Sequence, residues 1–586
     1  MKSKRLIELV SAIAVFAISM PMAREARAQA NACMPDDGVL EAHRYLRAMS
    51  LDLRGELPSD DELAALDAAA DPLTRARELE REWLMSDAFA ERVVRRHHDL
   101  LWNNLGNQGL VGNQQGIAPT RVPLEDGTTA TKLIYTRPAN NRSLLYRGIM
   151  VGGALPVITK QIPCLAIPQA TLNAMTDAQI KAKWGTTVTY GERNGIRYID
   201  LRNPLSATDT NVDTLYHREG YVDVHPFWAP ATTISICAFD GQEREVSVDG
   251  VTRCDDTFLI GNDLSCGCGP SLRHCGVGEV TTTLLKSFAK AVDLQVRDAV
   301  QGGGNYYDGL FLSSKTYVNG PMAFFYTYLN TVYRQLDLAP APVPNLPSDL
   351  IDFTKVDDWR AIEVGPHAAG VLTSPGFLLR FQTNRARANR FFDKFLCLPL
   401  QAPAQGLPAP DDPCSAEPDL QKRCGCGYCH IVLEPAAAHW GRWSESGAAY
   451  LSAAEYPKDR TDCTACAASG NPASCSLECR QRYHITPQMA GDPYLGVFRP
   501  YVFLKEQHFA NVENGPRLLV LSSMVDGSLQ DCTVRQAFEW LVGRAPESND
   551  EEAWVAQLGD DFAAANYDYG ELIRAIVESD NYRRVP

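Results

Sequence analysis

At 586 residues the chain is too long for a single core, and 45% hydrophobic with 22% charged residues is ordinary globular composition, which excludes a disordered or fibrous protein. A formal net charge of −15 excludes the basic surface that nucleic acid or anionic lipid demands; it suits a basic protein partner or plain solubility. Seventeen cysteines call for disulfides, a metal or a cofactor.

Residues 1–30 read as a secretory signal: Lys2, Lys4 and Arg5, an apolar run from Leu9 to Met20, then small-residue cleavage sites at Ala28–Ala30 or Ala30–Ala32. That run is short for a transmembrane helix and no later run approaches the required length. The expectation is an exported protein, in the periplasm or at the outer-membrane or cell surface, with no transmembrane helix in the mature chain. Cleavage removes five basic and two acidic residues and takes the net charge to −18. Cys33 directly follows Ala32 and is the candidate for a lipid anchor.

The first mature segment, 31–105, reads as a helical domain. Ala42, Tyr45, Leu46, Met49 and Leu53 share one helical face before Gly55, and Ser59 and Glu62 are spaced as a capping box. Further helices are expected near 73–85 and 87–103, with Trp83, Phe89 and Trp102 in the core. The His97-His98 pair reads as a solvated helix face, with metal ligation as the alternative. Residues 106–183 read as an irregular, partly helical connection with a helix near 141–150. Within 184–278, short β-branched runs at 187–190, 196–199, 233–237 and 245–248 predict a small antiparallel sheet near 184–253. Cys254, Cys266, Cys268 and Cys275 follow as a disulfide cluster, or as a structural metal site.

Residues 279–398 read as a second helical domain, with helices at 279–300, 319–336 and 376–397; the last carries Phe377, Leu378, Phe381, Phe391, Phe392 and Phe395. A proline-rich linker, 399–423, leads into the last segment, 424–586. There Thr533 and Gln536 are spaced as a capping box for a helix ended by Gly543, and Tyr569, Leu572, Ile573, Ile576 and Val577 mark one more.

The chemistry lies in Cys426-Gly-Tyr-Cys429-His430. Cys-x-x-Cys-His is the attachment signature of c-type haem: two thiols form thioethers to the haem vinyl groups and the adjacent His430 ligates the iron. The other Cys-x-x-Cys pair, Cys463/Cys466, is not followed by His. The competing readings are a disulfide cluster, or a zinc site drawing on Cys424, Cys426, Cys429, His430, Cys463 and Cys466. One haem on Cys426 and Cys429 leaves 15 cysteines, an odd number; a lipidated Cys33 would leave 14 for seven disulfides. Met489 is the first candidate for the distal iron ligand, with His484, Met524, His439, His508 or an open site as alternatives. The Pro435 carbonyl is placed to accept the other imidazole N–H. Trp440, Arg442 and Trp443 are candidates to wall the haem or bind its propionates, or else to pack against the C-terminal helices.

Five stretches carry a family resemblance: His43–Arg47 running through Leu51–Pro58, Tyr317–Gly320, Gly370–Leu379 with Asn384–Cys397, Cys426–Trp443, and Glu571–Asp580. In this order they resemble the uncharacterised cytochrome-c-like, multi-domain exported proteins of planctomycetes and myxobacteria. The resemblance implies an exported haem c protein and assigns no reaction. The fold class expected is therefore mainly α with a small antiparallel β region, multi-domain, with a cytochrome-c-like haem segment near the C-terminus. The function expected is single-electron transfer in the cell envelope to or from a redox protein. Two alternatives stay open: a haem-dependent oxidoreductase acting on an extracellular substrate, its catalytic residues unassigned, and a haem-free, disulfide-stapled surface binding protein.

Overall fold

The computed structural model describes residues 38–105, 116–137, 163–202, 215–254, 266–329, 343–400, 409–502 and 506–584, apart from 249, 252, 302, 344, 410, 418, 446 and 488–490. Residues 1–30, read as a secretory signal, Cys33, Met489 and the helix expected near 141–150 lie outside the described residues.

Four helices come first: α1 Ala42–Arg54, α2 Asp60–Asp67, α3 Pro72–Leu84 and α4 Asp87–Leu101. Their starts follow from local chemistry. Ser59 and Glu62 make the reciprocal capping box, Asp71 accepts from Leu73 and Thr74 ahead of Pro72, and Ser86 accepts from Phe89. Tyr45, Leu46, Met49 and Leu53 are buried as their spacing requires, and Gly55 ends α1 at φ 78°, in the left-handed region. Two expectations are corrected here. His97 is buried rather than solvated: its Nδ1–H donates to the Val93 carbonyl at 2.8 Å and its Nε2 accepts from the Tyr306 hydroxyl at 2.6 Å. Trp102 is half-exposed beyond the end of α4, with Arg380 stacked on its ring at 3.9 Å.

The β region starts earlier than its sequence pattern suggests. β1 Ala118–Pro123 and β2 Thr131–Thr136 form an antiparallel hairpin inside the stretch expected to be irregular. The two prolines of β1 hide the strand in the sequence, and are tolerated because β1 lies at a sheet edge. Next come α5 Gln169–Ala174, α6 Asp177–Trp184, β3 Tyr190–Arg193, β4 Ile196–Leu201, β5 Tyr216–Glu219, β6 Tyr221–Val224 and β7 Ile234–Cys237. β3, β4 and β5 form an antiparallel meander. β7 pairs antiparallel with β6 and parallel with β2, so the four-stranded sheet β1-β2-β7-β6 is mixed. The run at 245–248 contributes a single bridge, Val246 to Arg253. Disulfides Cys164–Cys237, Cys254–Cys266 and Cys268–Cys275 staple this region, so the thiol cluster is a disulfide cluster.

The long helix α7, Gly278–Gln301, begins the central body, and the strand pair β8 Lys315–Val318 and β9 Arg360–Glu363 packs beside it. Of the helix expected at 319–336, the described part is a helical turn, Gly320–Phe324, that widens into a π-helical turn over Phe325–Leu329; residues 330–336 lie outside the described residues. The helix expected at 376–397 is two helices, α8 Pro375–Arg380 and α9 Asn384–Phe395, because Ser374 and Thr383 each cap a separate start. The chain continues through α10 Gly427–Ala438, α11 Thr461–Ala468, α12 Leu477–Arg482, α13 Phe509–Val525, α14 Ser528–Val542, α15 Asn549–Ala564 and α16 Tyr569–Val577. Thr533 and Gln536 do not open α14, which starts at Ser528. The Thr533 hydroxyl bonds back to the Leu529 carbonyl and Gln536 donates to the Lys394 carbonyl, so both act inside the helix.

One apolar core runs from Tyr45 and Phe89 through Phe288, Phe377 and Phe391 to Phe538, Phe562 and Ile573. Helices from 31–105, 279–398 and 509–584 thus pack together, and the segment boundaries seen in sequence do not separate cores. A second, smaller core gathers Cys463, Tyr483, Phe498 and Tyr501 around α11 and α12. Among the described residues, no helix is long and apolar enough to cross a membrane.

Candidate functional site

α10 carries the Cys-x-x-Cys-His run at its first turn. Cys426 is the residue before the helix, and its carbonyl accepts from His430 N–H at 3.0 Å. Cys426, Cys429, His430 and Leu433, at i, i+3, i+4 and i+7, therefore share one face. Gly427 is required where it stands: a Cβ there would lie 2.7 Å from the Gln421 carbonyl oxygen. The disulfide Cys414–Cys424 closes the loop immediately before the motif. Tyr428, Ile431 and Val432 project from the opposite face into solvent.

Among the described residues seven disulfides account for 14 cysteines, the remaining four bridges being Cys397–Cys532, Cys414–Cys424, Cys463–Cys479 and Cys466–Cys475. Cys426 and Cys429, both partly exposed, are thiols outside these bridges. The pairing removes Cys424, Cys463 and Cys466 from the proposed zinc set and leaves it short of four ligands. The other described groupings of metal-type side chains, around Cys164, Cys414 and Cys463, are each built on disulfide sulfurs.

His430 is partly buried, and its Nδ1 lies 2.6 Å from Glu434 Oε1, one turn on. The carboxylate accepts the Nδ1 proton, so the ring's lone pair lies on Nε2. Arg385 of α9 holds Glu434 in turn with two bonds, at 2.7 and 3.3 Å. This corrects the expectation for Pro435, whose carbonyl instead accepts from Asn511 Nδ2 at 3.0 Å. Glu434 and Arg385 were missed in the sequence. Glu434 had a signal, a carboxylate four residues after a histidine on a helix; Arg385, 49 residues before Glu434, had none.

Trp440 and Arg442 follow the end of α10. Trp440 is fully buried, donates from Nε1 to the Leu372 carbonyl at 3.0 Å and stacks with Phe377. Arg442 is buried between α10 and the small core, donating to the carbonyl of Tyr456 at 2.6 Å and to the Tyr501 hydroxyl at 3.0 Å. Both anchor the end of α10 in the protein, and neither is positioned as a haem wall or propionate ligand. Trp443 packs against Tyr450.

Arg387 of α9 completes the mounting. Its fully buried guanidinium donates to the carbonyls of Phe381, Leu378, Ser444 and Gly447, so it ties the break between α8 and α9 to the loop after α10. Burial lowers its pKa to about 9.

The distal candidates are scattered. His484 bonds Asp492 through Nε2 at 2.9 Å. His439 is buried with Nδ1 donating to the Gly515 carbonyl at 2.8 Å, and burial lowers it to about 4. His508 is buried, and Met524 packs partly buried against the main core. The donor set fits a covalently held haem at the proximal side: two thiols and an oriented imidazole on one face of a solvent-accessible helical turn. Compared with protein-family models, with curated proteins and with solved structures, the chain matches none of them.

Proposed function

We propose that this chain is an exported c-type haem protein that carries one haem on Cys426 and Cys429 and passes single electrons in the cell envelope. The observation that carries the reading is the sorting of thiols: of the 16 described cysteines 14 enter disulfides, and the two outside those bridges are those of the Cys-x-x-Cys-His run. Seven disulfides suit an oxidising compartment, where thioether attachment also takes place. His430, oriented by Glu434 and Arg385, supplies the proximal ligand, and the resemblance to exported cytochrome-c-like proteins points the same way. The haem would supply the one-electron couple; the chain's own contribution is to hold it covalently, fix the imidazole and set the charge behind it.

The test is a pyridine haemochrome assay on wild-type protein and on Cys429→Ala, both expressed with a haem maturation system. The expected result is a c-type spectrum with one haem per chain in the wild type and an altered or absent signal in the variant. Absence of any c-type absorbance in the wild type overturns the proposal. A reduced spectrum unchanged by carbon monoxide fits electron transfer; carbon monoxide binding moves the reading to an open-site oxidoreductase.

A further inference from the structure

Residues 578–584, which follow α16, run as a strap against the first helices. Ser579 accepts from the Tyr582 N–H and so caps a short helix, Asp580–Arg583. Leu40 donates its N–H to the Arg583 carbonyl at 2.8 Å, and the backbone of Val39 bridges to Arg584. The Tyr582 hydroxyl donates to Asp52 of α1 at 2.7 Å, and its ring meets that of Tyr45 edge-on, with 6.2 Å between centroids. Arg583 lies over the other side of this contact, 5.5 Å from the Tyr45 ring. α1 and α3 are seated in the main core by Tyr45, Leu46, Met49, Leu79 and Trp83, whereas of the strap only Tyr582 enters that core. The strap is therefore the part of this junction that can open while the rest stays packed.

Glu80 of α3 faces this strap. Its charge acts on Tyr45 and Tyr582, and the charge of Glu578, the first residue of the strap, acts on it. Glu80 is fully buried and neither of its carboxylate oxygens has a hydrogen bond among the described residues. The charged and titratable groups around it come from every neighbouring element: Arg77 and Arg81 from α3 itself, Tyr45 and Asp52 from α1, Arg574 from α16, and Glu578, Tyr582 and Arg583 from the strap. Glu62 of α2 is taken by Arg54 and Trp83, and Arg92 of α4 by the Asp52 carbonyl. None of the guanidinium groups donates to Glu80; Arg81 instead lies 4.0 Å from Glu578. A buried carboxyl without a donor is tolerated when neutral, and once ionised it bears both the loss of hydration and the repulsion of Glu578.

We propose that residues 578–584 form a proton-dependent strap, closed over α1 and α3 while Glu80 is protonated and lifted from them when Glu80 ionises, with the main core staying folded. Opening frees residues 38–41 at the same time, because Leu40 and Val39 are held by Arg583 and Arg584. Burial first and Glu578 next raise Glu80 to about 8, so the strap is fully closed below the ordinary carboxylate range and its closure is lost as pH rises through about 8. Burial raises the Tyr45 and Tyr582 phenols above their ordinary range, and they stay neutral throughout this window. The device is independent of the haem reading.

Hydrogen exchange read by mass spectrometry on the full-length protein, at pH 5 and pH 9 and corrected for the intrinsic pH dependence of exchange, tests it. In wild type, protection of peptides covering 38–45 and 578–584 should fall at least tenfold from pH 5 to pH 9, while α7 keeps its protection. Glu80→Gln, neutral at both pH values, should abolish that fall. Unchanged protection of the strap in wild type, an equal fall in Glu80→Gln, or an equal fall in α7 overturns the proposal. Should Glu80→Gln not fold, the wild-type profile decides: protection of the strap declines up to about pH 8 and then levels off, and a decline that continues unabated above it overturns the assignment to Glu80.

Discussion

His430 has the Glu434 carboxylate behind it and the Cys426 and Cys429 thiols on its own helical face. A backbone carbonyl behind a ligating imidazole is a neutral acceptor, whereas Glu434 places a carboxylate there, which would make the ring a stronger donor to an oxidised iron. In the haem reading, Glu434→Gln therefore raises the midpoint potential: a loss of about 1–2 kcal/mol of charge-assisted bonding corresponds to roughly 40–80 mV for a one-electron couple. Spectroelectrochemical titration checks this, and an unchanged potential counts against the orienting role. Trp440→Ala behaves oppositely. It removes a fully buried ring and costs about 3–5 kcal/mol of stability in denaturant unfolding, while the visible spectrum of the haem stays unchanged. A spectral shift without destabilisation would restore Trp440 to the haem wall. At this scale the site was legible where chemistry is written in adjacent residues, as in Cys426, Cys429 and His430. It was illegible where partners come from afar, as with Arg385, and where a tryptophan close in sequence to the motif turns its ring into the core.

Elements were legible where the start signal is local. The Ser59–Glu62 box works as its spacing says, but the same spacing at Thr533–Gln536 falls inside α14, because a threonine hydroxyl can also bond back one turn within a helix. The β1–β2 hairpin escaped notice although its turn holds Asp126-Gly127, with Asp126 accepting from Thr128 and Gly127 at φ 79°. Packing between elements adds what no local pattern reveals. Glu80 of α3 is buried, its carboxylate without a hydrogen bond among the described residues. Burial first and the charge of Glu578 next raise it to about 8, against the lowering influence of Arg574, Arg81 and Arg77. Since the folded state holds this proton more tightly than the unfolded chain, the stability Glu80 contributes is complete below the ordinary carboxylate range and is lost as pH rises through about 8. Glu80→Gln should leave the melting temperature nearly unchanged at pH 5 and raise it by about 3 °C or more at pH 9, seen in scanning calorimetry at the two pH values. Equal effects at both would contradict a buried, protonated Glu80. His97 and His439 act in the opposite sense: burial holds both at about 4, so their contribution is lost as pH falls from the ordinary histidine range through about 4.

The whole molecule is organised around a main core that takes helices from both ends of the described chain, with α10 mounted against it by Trp440, Arg387 and the Arg385–Glu434 pair. The mainly α class and the presence of a β region were legible from periodicity. The shared core was not, because amphipathic faces announce that a helix is buried and not what buries it. Cys397–Cys532 spans 135 residues and fastens the end of α9 to α14 across the entire segment that contains α10. Its removal as Cys397→Ala/Cys532→Ala should cost about 2–5 kcal/mol in denaturant unfolding, and a loss below about 1 kcal/mol would show that the core alone sets the junction.

The central claim concerns how the cysteines are divided, and non-reducing peptide mapping by mass spectrometry reads that division directly. Protein denatured without reductant, alkylated and digested should yield seven disulfide-linked pairs and one peptide in which Cys426 and Cys429 carry a single haem and no alkyl group. Alkylation of both Cys426 and Cys429, or a disulfide joining them to each other or to another cysteine, would contradict it.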